Sequence, residues 1–198
     1  MKLVVDWDGT ATVNDSIWMF MERFGDHGLF ARLEAGLGTT VSHREVMERE
    51  LATIKAPLAE VNAWLVEHVV LREGFAELVE RYDPLVLSMG FHETIEPILA
   101  REGIEAELVA NRLEETADGW RIVWRDEADC PSCGDVCKRS GMPQGSPLVY
   151  VGDGYSDRCP AALADRVFAR RDLASYLDAE GLPYESFETF YDVAAALT

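Results

Sequence analysis

The chain opens with a short apolar run that leads into two aspartates, Asp6 and Asp8. Residues 3–7 predict a buried β-strand, and the DGT sequence that comes next predicts a turn. Because successive side chains of a strand point to opposite faces, Asp6 and Asp8 are expected on one side and Trp7 on the other, in packing. The pattern therefore places two carboxylates together at the carboxyl end of the first strand.

From residue 14 to residue 70 the apolar positions recur at helical spacing. Ile17, Met21 and Phe24 form one apolar stripe, and similar stripes follow further along the segment. Ser42 with a glutamate three residues later has the pattern of a capping box at a helix start. These features predict an all-helical insertion over 14–70.

Beyond the insertion, short apolar runs alternate with helical patterns. The clearest buried strand is the LVYVG run at 148–152, which ends in Gly-Asp-Gly. Further strands are predicted at 84–88, 107–110, 120–124 and 166–169, and helices at 72–81, 94–101, 157–164, 172–179 and 188–197. Alternation of this kind predicts an α/β fold, with a parallel sheet covered by helices on both faces.

Length and composition limit the class of protein. A chain of 198 residues can build one sizeable core that carries a smaller inserted domain. No apolar run approaches the roughly 20 residues that a membrane-spanning helix needs, and the first residues lack the pattern of a signal peptide. We therefore expect a cytoplasmic protein without a membrane partner. The sequence carries no indication of an oligomeric state.

The charge of the chain is strongly negative. Lys and Arg number 18 against 36 Asp and Glu, so the formal net charge is −18. This field repels nucleic acids and anionic membranes, and neither is expected as a partner. It also disfavours a phosphate ester, so a phosphate site here needs a bound metal and a placed Lys or Arg.

Polar residues follow several of the predicted strands at the carboxyl end. Asp6 and Asp8 follow the first strand, Ser88 ends another, and Asp153 with Asp157 follows the strand at 148–152. In an open parallel sheet ligands bind at the carboxyl ends of the strands, so these groups are expected to converge. Lys138, in the loop before the last of these strands, can join them and supply the positive charge.

This set of groups suits phosphoryl transfer. Carboxylates at Asp6, Asp8 and Asp153 form an oxygen-rich site for Mg²⁺, which offsets the repulsion of a phosphate. One aspartate can act as the nucleophile and the other as general acid and base. The phosphoryl oxygens are expected to bind the Ser88 hydroxyl, the backbone amides of Met89 and Gly90, and Lys138.

DWDGT, Ser88, Lys138 and GDGYSD stand in the order of four motifs that the chain shares with a known superfamily. The sequence resembles the haloacid dehalogenase superfamily, and specifically its phosphoserine phosphatase-like branch, in which a helical cap follows the first motif. The resemblance implies a Rossmann-like core over 1–13 and 71–198 and a cap over 14–70.

The resemblance also implies a role for each aspartate. Asp6 becomes the nucleophile and Asp8 the acid and base, with Asp8 binding the metal through its backbone carbonyl. Asp153 becomes a direct metal ligand, and Asp157 supports the waters of the metal or, in the alternative interpretation, caps a helix. Asp15 lies nearest the leaving group, although it also has the position of an N-cap. Other polar cap residues, Glu22, Arg23, His43 and Arg49, are interpreted as solvated helix positions.

A closer resemblance covers the Asn14-Asp15-Ser16-Ile17 segment, the cysteine run before Lys138 and the C-terminal tail from Val167. These segments are similar to phosphatases that act on 2-hydroxy-3-keto-5-methylthiopentenyl-1-phosphate in methionine salvage, and to phosphoethanolamine/phosphocholine phosphatases. The expected partner is a small-molecule phosphate ester. Phosphoserine phosphatase is also similar but typically has Glu at the position of Asp15 and lacks the cysteine run.

Three of the four cysteines fall within eight residues. Cys130, Cys133 and Cys137 have a spacing that could hold a structural Zn²⁺, with Cys159 as a fourth ligand if the fold brings it near. The alternatives are reduced thiols in a tight turn and a redox pair made by Cys130 and Cys133.

Two other functions compete with a hydrolase. The carboxylates and a zinc-bound cysteine knob could belong to a metal-stabilised binding protein without turnover. An aspartyl phosphate could also be passed to an acceptor other than water, which would make the protein a phosphotransferase.

Overall fold

A computed structural model describes residues 1–126, 128–145 and 147–198. Its centre is a seven-stranded sheet in the order β4-β3-β2-β1-β5-β6-β7, in which every neighbouring pair is parallel except β3 and β4. The strands are β1 Lys2–Val5, β2 Leu85–Phe91, β3 Glu107–Thr116, β4 Gly119–Val123, β5 Leu148–Gly152, β6 Arg166–Ala169 and β7 Glu185–Ser186. The predicted α/β fold is confirmed.

The edge formed by β3 and β4 differs from the prediction of a wholly parallel sheet. The strand predicted at 107–110 runs on to Thr116, turns, and returns as β4 in an antiparallel hairpin. Gly119 closes this turn with a φ of 120°, a backbone conformation that favours glycine. A hairpin with a short connection can only be antiparallel, which is why this edge departs from the pattern of the other strands.

In the described part of the chain, four helices lie within the predicted insertion and five others lie outside it. They are α1 Ser16–Phe24, α2 His27–Glu34, α3 His43–Leu51, α4 Leu58–His68, α5 Phe75–Tyr82, α6 His92–Glu102, α7 Arg158–Ala161, α8 Arg171–Glu180 and α9 Phe190–Ala196. Side chains of Asp15, Asp26 and Ser42 accept a backbone N–H at the starts of α1, α2 and α3. These caps fix where the helices of the insertion begin.

The core is continuous between the sheet and the helical insertion. Trp7 is fully buried, as the alternation of the first strand predicts, and its ring meets the edge of Phe75 at 6.1 Å between centroids. From the insertion, Phe20 packs against Trp120 of β4 at 5.7 Å. The indole N–H of Trp120 also donates to the carbonyl of Ala56 at 3.0 Å. The insertion is therefore held against the β3–β4 edge by apolar and polar contacts.

Among the described residues, no helix has both the length and the apolar character needed to cross a membrane.

Candidate active site

The turn after β1 brings backbone and carboxylates close together. Gly9 has a φ of 74°, and a Cβ placed there would lie 2.4 Å from a carboxylate oxygen of Asp153, so both the conformation and the space require glycine. The buried Arg72 guanidinium donates to the carbonyl oxygens of Gly9 and Thr10 at 2.7 Å and of Thr12 at 3.0 Å. Arg72 thus holds the turn that carries Asp8, a role that nothing in its sequence surroundings indicates.

Lys138 lies at the centre of the site and is 1% exposed. Its ammonium group bonds Asp6, and it lies 2.5 Å from Asp157. Burial lowers the pKa of a lysine, but the charges of Asp157 and Asp6 outweigh burial and raise the pKa of Lys138 above its usual value. The sequence places Lys138 only in a loop, and the structure brings it to the carboxylates as predicted.

Asp157 has no free oxygen in this arrangement. One oxygen accepts the Lys138 ammonium and the Tyr150 hydroxyl at 2.6 Å, and the other accepts the amides of Asp153 and Gly154 at 2.8 Å each. Burial alone would raise the pKa of Asp157, but Lys138 and these hydrogen bonds outweigh it and lower the pKa. Asp157 therefore organises the site instead of presenting a free carboxylate to it.

Asp6 and Asp153 are buried carboxyl groups whose negative charge is only partly offset by the cations near them. Burial and the neighbouring Asp157 raise the pKa of Asp6 well above its usual value, against the opposing effect of Lys138. Burial likewise raises the pKa of Asp153 to about 6, although Thr10 donates to it at 2.8 Å and Arg171 lies 3.6 Å away. A cation bound beside these two groups would favour their ionised forms.

Asp8 is fixed by the first residue of α1. The Ser16 amide donates to one Asp8 oxygen at 2.8 Å, and the Ser16 hydroxyl donates to the same oxygen at 2.5 Å. Burial raises the pKa of Asp8, and the two bonds from Ser16 partly oppose the rise. A carboxyl group of raised pKa held in one orientation is suited to acid and base catalysis.

The end of β2 contributes the predicted phosphate-binding groups. Ser88 is 1% exposed, and its Oγ accepts the Gly90 amide at 2.8 Å. A Cβ at Gly90 would lie 3.2 Å from an Asp8 oxygen, so the strand end and the first motif lie side by side. Asn111 of β3 donates to the Met89 carbonyl at 2.8 Å and holds this strand end in place.

Most of the predicted site residues face one cavity of about 830 Å³ between the insertion and the sheet, whereas Gly90 and Asp157 do not line it. Asp6, Asp8, Ser88, Met89, Lys138 and Asp153 line it on the side of the sheet, and Asp15, Ile17, Trp18, Phe30, Met47 and Glu50 on the side of the insertion. The strand ends and the loop of Lys138 therefore converge as the sequence predicts, and a second wall covers them.

A family model for haloacid dehalogenase-like hydrolases matches residues 3–162 of this chain. The chain belongs to this family. The resemblance drawn from the four motifs is confirmed, and with it the prediction of an enzyme.

Relatives of this haloacid dehalogenase-like hydrolase match over its whole length. A 2-hydroxy-3-keto-5-methylthiopentenyl-1-phosphate phosphatase of an Exiguobacterium species is 28% identical over 98% of this chain and 95% of its own. A polyol phosphate phosphatase of Saccharomyces cerevisiae is 30% identical over 98% of this chain and 91% of its own. The prediction that the enzyme is a phosphatase is confirmed by these relatives.

The fold has a counterpart among solved structures. A phosphoserine phosphatase bearing an analogue of the phospho-aspartyl intermediate superposes with a TM-score of 0.68, over 98% of both chains and at 18% identity. The comparison shows that the haloacid dehalogenase-like hydrolase shares this fold.

The acidic end of the site fits a divalent cation. Carboxylate oxygens of Asp6, Asp153 and Asp157 lie within 4.8 Å of one another. Among the described residues, the buried ammonium beside these three carboxylates is that of Lys138, which pairs with Asp6 and Asp157, so negative charge is in excess. Hard oxygen ligands with uncompensated charge suit Mg²⁺, and the residues of this haloacid dehalogenase-like hydrolase therefore fit that metal.

The insertion contributes to the cavity Glu34 and Glu50, which the sequence did not indicate, and Asp15, which the resemblance places nearest the leaving group. Glu50 is 3% exposed, its Oε1 has no hydrogen-bond partner in the described part of the chain, and burial raises its pKa to about 8. Burial also raises the pKa of Asp15 to about 8, although Asp15 caps α1 through the Trp18 amide at 2.8 Å. Glu34 lies on the same wall. Glu50 lies on the apolar face of α3, and a charged residue at an apolar position of a helix is the sequence feature that would have indicated its role in the cavity.

The four polar residues of the insertion that were interpreted as solvated helix positions have two different environments. Glu22 and His43 line the cavity, so that interpretation is wrong for the half-buried His43. Arg23 lies over the ring of Phe24, 5.4 Å from its centroid, and Arg49 pairs with Glu45 at 2.8 Å, so both are occupied elsewhere. Burial lowers the pKa of His43 despite the nearby Asp135, which favours a neutral imidazole at the cavity wall.

The four cysteines meet outside this cavity. Sulfur atoms of Cys130, Cys133, Cys137 and Cys159 lie within 4.8 Å of one another, and all four are free thiols. The sequence leaves the participation of Cys159 conditional on the fold, and the fold brings it to the other three.

Proposed function

We propose that the chain is a Mg²⁺-dependent phosphomonoester hydrolase that forms an aspartyl phosphate on Asp6. The observation that carries this proposal is the ion pair between Asp6 and the buried Lys138 at the cavity between the sheet and the helical insertion. Asp8 lies beside this pair and is held in place by a hydrogen bond from Ser16. A nucleophile and a separate acid and base two residues apart are what a two-step phosphoryl transfer needs.

In the first step a carboxylate oxygen of Asp6 attacks the phosphorus atom. The bond between phosphorus and the leaving oxygen breaks, and Asp8 gives its proton to that oxygen, so an alcohol departs and Asp6 carries the phosphoryl group. In the second step Asp8 takes a proton from water, whose oxygen attacks the same phosphorus. Inorganic phosphate leaves, the carboxylate of Asp6 is restored and Asp8 is protonated again.

The other residues bind and orient the phosphoryl group. Lys138 and Ser88 offer the ammonium and hydroxyl donors, and the amides of Met89 and Gly90 are further candidates, with the Gly90 amide first released from Ser88. Asp6, the Asp8 carbonyl and Asp153 would hold the Mg²⁺, while Asp157 supports its surroundings. The ion, when bound, supplies positive charge that stabilises the phosphoryl oxygens.

We propose that residues 14–70 act as a cap over a core formed by 1–13 and 71–198. Helices α1, α2 and α3 supply Ile17, Phe30 and Met47 to the cavity wall that faces the catalytic aspartates. A cap in this position excludes water from the first step and determines which leaving group fits.

The first candidate substrate is 2-hydroxy-3-keto-5-methylthiopentenyl-1-phosphate, the compound in the name of the Exiguobacterium relative. Trp18, Phe30 and Met47 offer an apolar wall to a methylthio tail. This substrate would place the enzyme in methionine salvage.

A second candidate is a phosphate ester with an ammonium group, such as phosphoethanolamine or phosphocholine. Asp15, Glu34 and Glu50 lie together on the cap side of the cavity, and burial keeps the pKa of each above its usual value. A cation bound among them would favour their ionised forms, and this acidic wall is the specific reason to test such esters.

A panel of phosphate esters with Mg²⁺ tests the proposal. It contains the methionine-salvage compound, phosphoethanolamine, phosphocholine, phosphoserine and p-nitrophenyl phosphate, each measured by phosphate release, with the Asp6→Asn variant as the control. We expect turnover of at least one ester by the wild type and none by the variant. Absence of turnover on the whole panel would favour the binding protein, and transfer to an added alcohol would favour the phosphotransferase.

A further inference from the structure

The chain between β4 and β5 has little regular structure and buries few apolar side chains. Among its described residues, regular structure is limited to a 3-10 turn at Lys138–Gly141, and the buried apolar side chains are Val136 and Met142. Yet this segment delivers Lys138 to the catalytic carboxylates, where a displacement of about 1 Å can cost roughly 100-fold in rate. Something other than an apolar core must fix it.

The sulfur atoms of the segment have the spacing of a metal site. Around a tetrahedral zinc with Zn–S bonds of about 2.3 Å, sulfur atoms lie about 3.8 Å apart. Those of Cys130 and Cys159 lie 3.7 Å apart, and all four sulfurs fall within 4.8 Å of one another. A disulfide requires about 2.05 Å, so the cluster consists of separate thiols.

Backbone amides are directed at two of the sulfurs. The Ser132 amide donates to Cys130 and the Arg139 amide to Cys137, each at 3.4 Å. Both donors stand two residues after the cysteine they contact. Amide donors of this kind stabilise a thiolate, which is the form of cysteine that binds a metal.

We propose that Cys130, Cys133, Cys137 and Cys159 bind one structural Zn²⁺. A set of four thiolates in tetrahedral arrangement with no open position is the ligand set of a closed zinc site. Three ligands come from one loop and the fourth from α7, next to the site that Asp153 and Asp157 occupy. The ion therefore cross-links the loop of Lys138 to the segment that follows β5.

The same loop also reaches the cap. The carboxylate of Asp135, between two of the zinc ligands, accepts the amides of His43 at 2.5 Å and Arg44 at 3.2 Å at the start of α3. One metal thus braces two connections, through Lys138 to the catalytic carboxylates and through Asp135 to the cap. Loss of the ion is expected to loosen both.

Metal analysis of the wild-type chain tests the proposal without any variant. The full chain is purified under reducing conditions with no added metal, and Mg²⁺ is removed by exhaustive desalting into buffer that contains no chelator. We expect close to one zinc per chain by mass spectrometry of metals, and thiols that resist a disulfide-forming reagent until the zinc is released. Iron in place of zinc, or four reactive thiols with no metal, would overturn the proposal.

Variants then locate the ion. Cys133→Ser and Cys159→Ser should each bind far less zinc and melt at a lower temperature than the wild type. Ser132→Ala is the control at an exposed position between two ligands, and it should keep the zinc content and the melting temperature of the wild type. Asp153→Asn should also keep the zinc, which separates this site from the catalytic carboxylates. Zinc retained in both cysteine variants, or lost with Asp153→Asn, would show that the ion binds elsewhere. Neither readout depends on the hydrolase activity.

Discussion

At the scale of single residues, burial divides the carboxylates of the site into different roles. Asp157 is saturated by Lys138, Tyr150 and two amides, and its pKa is lowered, whereas burial raises the pKa of Asp6 and Asp8. In the proposed mechanism, one aspartate therefore organises the site while two others take part in the reaction. What distinguishes them is the number of donors that each one meets.

The first prediction concerns Asp8 as the general acid and base. Asp8→Asn keeps the shape of the side chain but cannot transfer a proton, so kcat for an alkyl phosphate should fall by roughly 100- to 10,000-fold. The loss should be smaller for p-nitrophenyl phosphate, whose leaving group needs less protonation. Steady-state kinetics on both substrates measure this. A change confined to KM would contradict the role.

The second prediction concerns the buried Glu50. Its pKa is raised to about 8 by burial and by Glu34 and Asp15, so the folded chain binds a proton that the unfolded chain, with a pKa near 4.5, releases. The free energy of unfolding should therefore fall as pH rises from about 4.5 to about 8, by on the order of 1 kcal/mol per pH unit.

Glu50→Gln should remove this dependence. Melting temperatures of the variant and the wild type should agree near pH 5 and diverge in favour of the variant by pH 8.5, in substrate-free protein. Glu67→Gln, at an exposed position of α4, is the control and should follow the wild type. Parallel curves for Glu50→Gln and the wild type would mean that Glu50 is already ionised in the folded chain.

At the scale of elements, the helical insertion and the turn after β1 meet through a helix start. Ser16 begins α1 and makes two hydrogen bonds to Asp8 in that turn. Any motion of α1 relative to the sheet would therefore reorient Asp8. In the proposed mechanism, this contact couples the position of the proposed cap to the orientation of the proposed general acid.

The third prediction is that Ser16→Ala lowers kcat. The amide bond to Asp8 remains and the hydroxyl bond is lost, and a hydrogen bond to a charged group contributes about 1.5–3 kcal/mol. Expressed in the rate, this corresponds to a loss of about tenfold to 100-fold. Ser175→Ala, on the exposed side of α8, serves as the control. Unchanged kcat with unchanged pH dependence would show that Asp8 needs no hydroxyl to hold it.

Elements that depend on local patterns were predictable from the sequence. The strand at Arg166–Ala169 has the predicted bounds, and Asp6 and Asp153 directly follow β1 and β5 as the pattern indicated. The predicted end of the second strand at Ser88 was wrong, because the apolar run continues through Met89 and β2 extends to Phe91. The antiparallel β3–β4 edge was not predicted, because the pattern indicated a strand that ends at residue 110, whereas β3 continues to Thr116 and so reaches the turn before β4. The role of Arg72 was not predictable for another reason, since three of its carbonyl partners belong to a turn some 60 residues earlier in the sequence.

At the scale of the whole molecule, the charge of −18 makes a phosphate ester an unfavourable ligand unless cations gather at one place. The structure gathers Lys138 inside the site and Arg171 at its rim. The negative charge of the three buried carboxylates is still larger than the positive charge of these side chains in the interior, and a divalent ion would offset the difference. Binding of substrate is therefore expected to depend on that ion.

The fourth prediction follows from this balance. A chelator should abolish turnover, and added Mg²⁺ should restore it, while Ca²⁺ should occupy the site and fail to restore the rate because its coordination is larger and less regular. Phosphate release after each addition measures this, with the zinc content followed in parallel. Full activity in excess chelator would remove the metal from the mechanism.

The most direct test of the central claim is to trap the phosphoryl group on Asp6. The Asp8→Asn variant with p-nitrophenyl phosphate should form the intermediate and hydrolyse it slowly, so acid quenching and peptide mass spectrometry should find one phosphoryl group on the peptide that begins the chain. The modification should map to Asp6, disappear with hydroxylamine and be absent from the Asp6→Asn variant. Turnover of the wild type with no phosphorylated Asp6 in any quenched sample, or a phosphoryl group on another residue, would contradict the account.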